Sequence, residues 1–86
     1  MTREEQIDTW LDGRWSVSKK GTGAQYRNLR GWHVAVWEDR NHPGEWTWHM
    51  AREGQSDGYR YSKKRFSSER AAKRDVLNTL AEELAL

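Results

Sequence analysis

Trp32-His33-Val34-Ala35-Val36-Trp37 and Trp46-Thr47-Trp48-His49-Met50-Ala51 are the two stretches that decide how this chain folds. In the first, Trp32, Val34 and Val36 share one parity and His33, Ala35 and Trp37 the other. In the second, Trp46, Trp48 and Met50 alternate with Thr47, His49 and Ala51. Side chains along a strand point to opposite faces in turn, so this period-two pattern marks strands with one buried face. Between them Asn41-His42-Pro43-Gly44 is a turn signal, with proline presetting its φ and glycine tolerating a positive one. The pair reads as an antiparallel hairpin with a somewhat long loop.

Upstream, Thr2 and Glu5 have the spacing of a capping box, opening a helix that places Ile7, Trp10 and Leu11 on one face and ends at Gly13. Arg14 to Lys20 reads as a short first strand with Trp15 and Val17 inward. Gly21-Thr22-Gly23 breaks it, and residues 24–31 form a polar connection that carries Tyr26 and Leu29. Downstream, Gly54 to Gly58 is a loop. Tyr59-Arg60-Tyr61-Ser62 is either a fourth short strand, with its tyrosines inward, or an extended lead into the last helix. Phe66, Ser67 and Ala71 fit a hydrophobic staple around a serine N-cap, with Glu69 near the positive end of the helix dipole. Val76, Leu77, Leu80 and Leu84, flanked by Ala72 and Ala81, then make one stripe at helical spacing. The expectation is a single α+β domain over residues 1–86: a small antiparallel sheet of three or four strands, with an N-terminal and a C-terminal helix packed on its aromatic face. Trp32, Trp46 and Trp48 are expected inside, and Trp37 is expected to be more exposed.

The totals narrow the classes. Eighty-six residues without cysteine leave no disulfide and no thiolate metal site, so packing alone must hold the domain together. Mean hydropathy is −1.15, but six tryptophans compensate, since each large aromatic buries roughly 150–250 Å². No apolar run approaches the ~18 residues of a membrane span, and the polar start Met1-Thr2-Arg3-Glu4-Glu5 is unlike a signal peptide, so a cytoplasmic protein is expected. The net charge of +2 is laid out in blocks: residues 1–12 carry −3, 13–37 carry +5, 38–58 carry −3, 59–74 carry +6 and 75–86 carry −3. Folded onto one surface, such blocks give a directional field; spread over several faces, they cancel.

Two constellations are candidates for function. With the tryptophan parity turned inward, the other sheet face carries Arg14, His33, Trp37, Thr47, His49 and Arg60 among small and hydroxyl residues, and no acid. Such a face suits phosphates, base edges and stacking. An ordinary half-solvated sheet presents much the same residues. The second constellation is the basic run Arg60, Lys63, Lys64, Arg65, Arg70, Lys73 and Arg74, seven cations in fifteen residues. Its centre lies at a helix entry, where free amides and the dipole favour an anion and Ser67 can add a hydroxyl. Long basic side chains along an exposed helix also serve merely to solubilise it. Catalysis finds little to work with. His33, His42 and His49 are the only histidines, no third ligand shares a face with His33 and His49, and no phosphate loop, nucleophile elbow or spaced acid pair is present. No cofactor, metal or small-molecule substrate is implied.

Strands followed by a helix introduced by Ser62-Lys63-Lys64-Arg65-Phe66-Ser67-Ser68-Glu69-Arg70-Ala71-Ala72, with Arg14-Trp15-Ser16-Val17 early, resemble the arm-type, AP2-like DNA-binding domains of phage integrases. The resemblance covers residues 31–84. It implies a sheet whose exposed face enters the DNA major groove, with a helix behind. The N-terminal helix, the long 21–31 connection and the tryptophan load depart from that pattern. Helix–strands–helix order with Ser62-Lys63-Lys64 also resembles double-stranded-RNA-binding domains, although the histidine loop expected between their first two strands is missing. The sequence thus points to a small non-catalytic nucleic-acid-binding protein, with DNA ahead of RNA. The competing class is a phage- or plasmid-type accessory or inhibitor protein that engages a protein partner through tryptophan and arginine hot spots. If the acid-free face binds phosphate, its two histidines should tighten binding as pH falls through their titration.

Overall fold

The computed structural model describes residues 1–19, 23–55 and 58–86. Lys20, Gly21 and Thr22 of the expected first strand and its break, and Ser56 and Asp57 of the expected 54–58 loop, lie outside the described residues. The elements run α1 (Arg3–Leu11), β1 (Ser16–Val17), β2 (Gln25–Leu29), β3 (Trp32–Glu38), β4 (Trp46–Arg52), β5 (Tyr59–Tyr61) and α2 (Glu69–Glu83). The strands form one antiparallel sheet in sequential order, β1 to β5. The α+β class is as expected, but the sheet has five strands.

The additional strand is β2, where a polar connection was expected. Its partner is β3, and Arg30 and Gly31 join them as a two-residue turn with φ of 52° and 84°. Positive φ at both positions gives the turn the twist that two antiparallel strands need. Leu29 therefore faces Trp32, Arg27 faces Val34 and Tyr26 faces Ala35. β3 and β4 pair over their full lengths, from Trp32 opposite Arg52 to Glu38 opposite Trp46. At the near end of β4, Trp46 and Phe66 exchange two backbone hydrogen bonds of 2.7 and 2.8 Å. This bridge fixes the chain just before α2 and pushes the helix start one residue along: the N-cap is Ser68, whose hydroxyl accepts from the Ala71 amide, and Ser67 is an exposed spacer.

Both helices lie on one side of the sheet. α2 packs on β3 and β4, and α1 packs on α2. The capping box of α1 is present, with Glu5 N–H donating to the Thr2 hydroxyl and Thr2 N–H to the Glu5 carboxylate. At the other end of α1, the Arg27 guanidinium donates to the Trp10 carbonyl. Gly13 makes this possible, because a Cβ there would meet the Arg27 guanidinium at 2.5 Å. The core joins Ile7, Trp10 and Leu11 of α1 and Ala72, Val76, Leu77, Leu80 and Ala81 of α2 to Trp32, Val34, Val36, Trp48 and Met50 of the sheet.

Several expected inward residues sit elsewhere. The covered face mixes Trp32 and Trp48 with aliphatic side chains; Trp46, at the sheet end, is only half-buried. β1 is the outermost strand, beyond the reach of α2, and Val17 is 58% exposed. Tyr59 pairs with Ala51 and Tyr61 with His49, which puts both tyrosines on the uncovered face and turns Arg60, opposite Met50, to the helix side. The physical reason is register. β5 pairs only at the edge of the sheet, where α2 meets it through the Arg60–Glu83 ion pair and not through buried apolar side chains, so burial does not select its parity.

Candidate functional site

The uncovered face is built by the second parity of four strands. β2 contributes Tyr26 and Asn28, β3 His33, Ala35 and Trp37, β4 Thr47, His49 and Ala51, and β5 Tyr59 and Tyr61. The aromatic rings meet in a row that crosses the strands. Ring centroids are 5.7 Å apart for Tyr26 and His33, 5.9 Å for His33 and His49, and 6.1 Å for both His49–Tyr61 and Tyr61–Tyr59. Trp37 joins from the side, 5.3 Å from His49. Tyr59 and Tyr61 are stacked within 10°, and the other pairs are tilted. Asn28, Ala35, Thr47 and Ala51 fill the remaining positions, so rings with small or polar side chains make up the surface. Tyr61 is 64% and Tyr59 50% exposed.

Electrostatically this face is bare of acid: none of its strand positions is Asp or Glu. Asp39 lies at its margin, in a cleft of about 180 Å³ shared with Thr47, Ser62, Lys63 and Lys64. That carboxylate is occupied. Arg65 Nε donates to it at 2.7 Å and, together with the Asn41 amide, holds it below the usual carboxylate range. His49 is held below the ordinary histidine value by burial first and by the neighbouring His33 second. His33 Nδ1 lies 2.9 Å from the Asn28 side-chain oxygen. Among the described residues, no three His, Cys, Asp or Glu side chains gather as a metal set, and no helix is long and apolar enough to cross a membrane.

The thirteen residues expected to bind separate into distinct groups. His33, Trp37, Thr47 and His49 share the uncovered face as expected. Arg14 lies in the exposed link before β1, outside the sheet register. Arg60 is on the helix side, 2.9 Å from Glu83. Most of the basic run is committed within the fold: Arg65 to Asp39, Arg70 to Asp12 at 3.7 Å, Arg74 to Asp8 at 2.9 Å and Lys73 to Glu69 at 2.6 Å. Lys73 also donates to the Gln25 side chain and rests 4.7 Å over the Trp15 ring, so it is buried. The entry to α2 is filled by the Ser68 hydroxyl and Glu69, and Ser67 makes no cap. Lys63 forms no ion pair among the described residues, and Lys64 lies 5.3 Å over the Phe66 ring.

Sequence reasoning missed Tyr26, Tyr59 and Tyr61. The signal for Tyr26 was partial: Gly31 directly before a strong strand suits the second position of a two-residue hairpin turn, which would fix the parity of β2, but Arg30 is not a residue that such a turn favours. The loop before β5 is too long to carry its parity in the same way. Compared with known proteins, the chain matches no family model, no curated protein and no solved structure.

Proposed function

We propose that this domain binds nucleic acid without catalysing a reaction, and that the uncovered face of the sheet is its contact surface. The observation that carries this reading is the acid-free row of rings from Tyr26 to Tyr59, whose neighbouring rings are 5.7–6.1 Å apart. Ring faces offer stacking to bases, and the absence of carboxylates avoids repulsion of phosphates. Lys63 and Lys64, at the sheet edge between a cleft with Thr47 and a second cleft with Trp48, Asp75 and Thr79, supply the phosphate contacts. The basic side chains along α2 are a framework of ion pairs in this reading, so the contact surface is narrower than the charge run suggests.

The test is fluorescence anisotropy with short labelled single-stranded and duplex oligonucleotides at two salt concentrations. The expected result is binding that weakens as salt rises, because phosphate contacts release counterions. The double variant Lys63→Glu/Lys64→Glu should fold normally and bind at least ten-fold more weakly, while Arg70→Glu should have a much smaller effect. Absence of binding to any oligonucleotide would overturn the proposal. It would favour instead a protein partner docking on the exposed tyrosines.

A further inference from the structure

Given that reading, we propose that the ligand class of this face is single-stranded nucleic acid, with unpaired bases lying on the ring row and the backbone leaving past Lys63 and Lys64. This rests on the nucleic-acid proposal above and adds to it which form of nucleic acid is taken. Three features of the face favour a single strand over a duplex.

The first is the geometry of the rings. Tyr26, His33, His49 and Tyr61 come from four successive strands, each ring within about 6 Å of the next, and Tyr59 continues the row. A row of this kind sets rings across the sheet, with Tyr26, Tyr59 and Tyr61 open to solvent. In a duplex the base faces are already stacked on one another and only their edges are offered in the grooves. Within nucleic acid, exposed aromatic rings therefore find stacking partners in unpaired bases, and a sheet of this size accommodates roughly two or three of them.

The second is the scarcity of edge-reading groups. Reading a groove calls for Arg, Asn or Gln directed outward. Arg60 points to the helix side and is paired with Glu83. Asn28 is engaged with His33. Ala35 and Ala51, between the rings, have only methyl groups.

The third is the small number of cations beside this face. A duplex binder commonly neutralises about six to ten phosphates. Here the other cations of the 60–74 run face Asp8, Asp12, Asp39, Glu69 and Glu83, and Arg14, Lys19, Arg30, Arg40 and Arg52 hold no strand position on this face, which leaves Lys63 and Lys64 beside it. Two phosphate contacts on a single strand correspond to a logarithmic salt slope of about −1.4, far shallower than a duplex site requires.

The experiment compares a labelled ten-nucleotide thymidine strand with a ten-base-pair duplex, by anisotropy, at a series of salt concentrations. The expected result is at least ten-fold tighter binding of the strand, with a slope near −1.4. Tyr26→Ala and Tyr61→Ala should each weaken strand binding roughly ten-fold, and Tyr61→Phe should retain it because the ring is kept. Both tyrosines are exposed, and circular dichroism would verify that the variants fold. Equal or tighter duplex binding, or a Tyr61→Phe loss as large as that of Tyr61→Ala, would overturn this inference while leaving nucleic-acid binding intact. Failure to bind either probe would overturn both.

Discussion

Among the tryptophans, position in the sheet decides role more than residue type does. Trp48 is 4% exposed, sits between Val36 and α2, and donates its indole N–H to Asp75 at 2.8 Å. Trp37, one strand away on the opposite face, touches His49 and remains half-exposed. Trp48→Ala should therefore cost about 3–5 kcal/mol, a large part of a small domain's stability, and Trp37→Ala far less. Urea unfolding of the two variants would measure this, and equal losses would mean that both sheet faces are covered. His49 makes a second residue-scale prediction. Burial depresses its pKa in the folded protein, so as pH falls the unfolded chain takes up the proton first. The associated stability is complete above the ordinary histidine value of about 6.5 and is lost as pH drops from there through the lower folded value. Wild type should lose more stability between pH 7.5 and 5.5 than His49→Gln does. An equal loss in the two proteins would show that His49 titrates normally. The same depression means that any tightening of anion binding contributed by His49 sets in at lower pH than its sequence alone suggests.

Elements whose own period carries their burial were legible in the sequence, and those placed by their partners were not. α1, β3, β4 and α2 each bring a repeating apolar pattern and a cap or turn signal. β2 has the alternation Gln25-Tyr26-Arg27-Asn28-Leu29, which is polar on both parities because its helix side is covered by Arg27 reaching Trp10 and by Gln25 meeting Lys73. Polar pairing with the helices stands in for hydrophobic contrast there, so periodicity does not reveal the strand. β5 failed differently: its alternation was visible, but an edge strand of three exposed residues, met by α2 only through Arg60 and Glu83, has no buried face to set its parity. As a result, four of the thirteen expected binding residues lie on the candidate face, while three of its most prominent rings come from the two poorly legible strands. The turn joining β2 and β3 offers a direct check. Arg30 holds φ of 52°, a left-handed conformation that costs an ordinary side chain about 1–2 kcal/mol and that asparagine tolerates. Arg30→Asn should stabilise the domain by about 0.5–1 kcal/mol in thermal or urea unfolding, and Arg30→Val should destabilise it. The opposite order would mean that the hairpin is not turned as described.

At the scale of the whole molecule, the alternating charge blocks close on themselves. The acidic first block supplies Asp8 and Asp12 to Arg74 and Arg70, and the acidic last block supplies Glu83 to Arg60. Individually, exposed pairs of this kind contribute little, about 0–1 kcal/mol each. Collectively they tie Arg60, Arg70 and Arg74 to acids of the first and last blocks. Opposite the helices lies a sheet face with no acid, a connected row of rings and two lysines at its margin. In the proposed reading, this division leaves structure to one side and binding to the other. The measurement that tests it most directly is a nitrogen- and carbon-labelled NMR titration with a short thymidine oligonucleotide, following every backbone and ring signal. The account predicts that the shifts concentrate on Tyr26, His33, Trp37, His49, Tyr59 and Tyr61, with Lys63 and Lys64 at the edge and α2 unmoved. Shifts centred on Arg70, Lys73 and Arg74 instead, or none at saturating oligonucleotide, would contradict it.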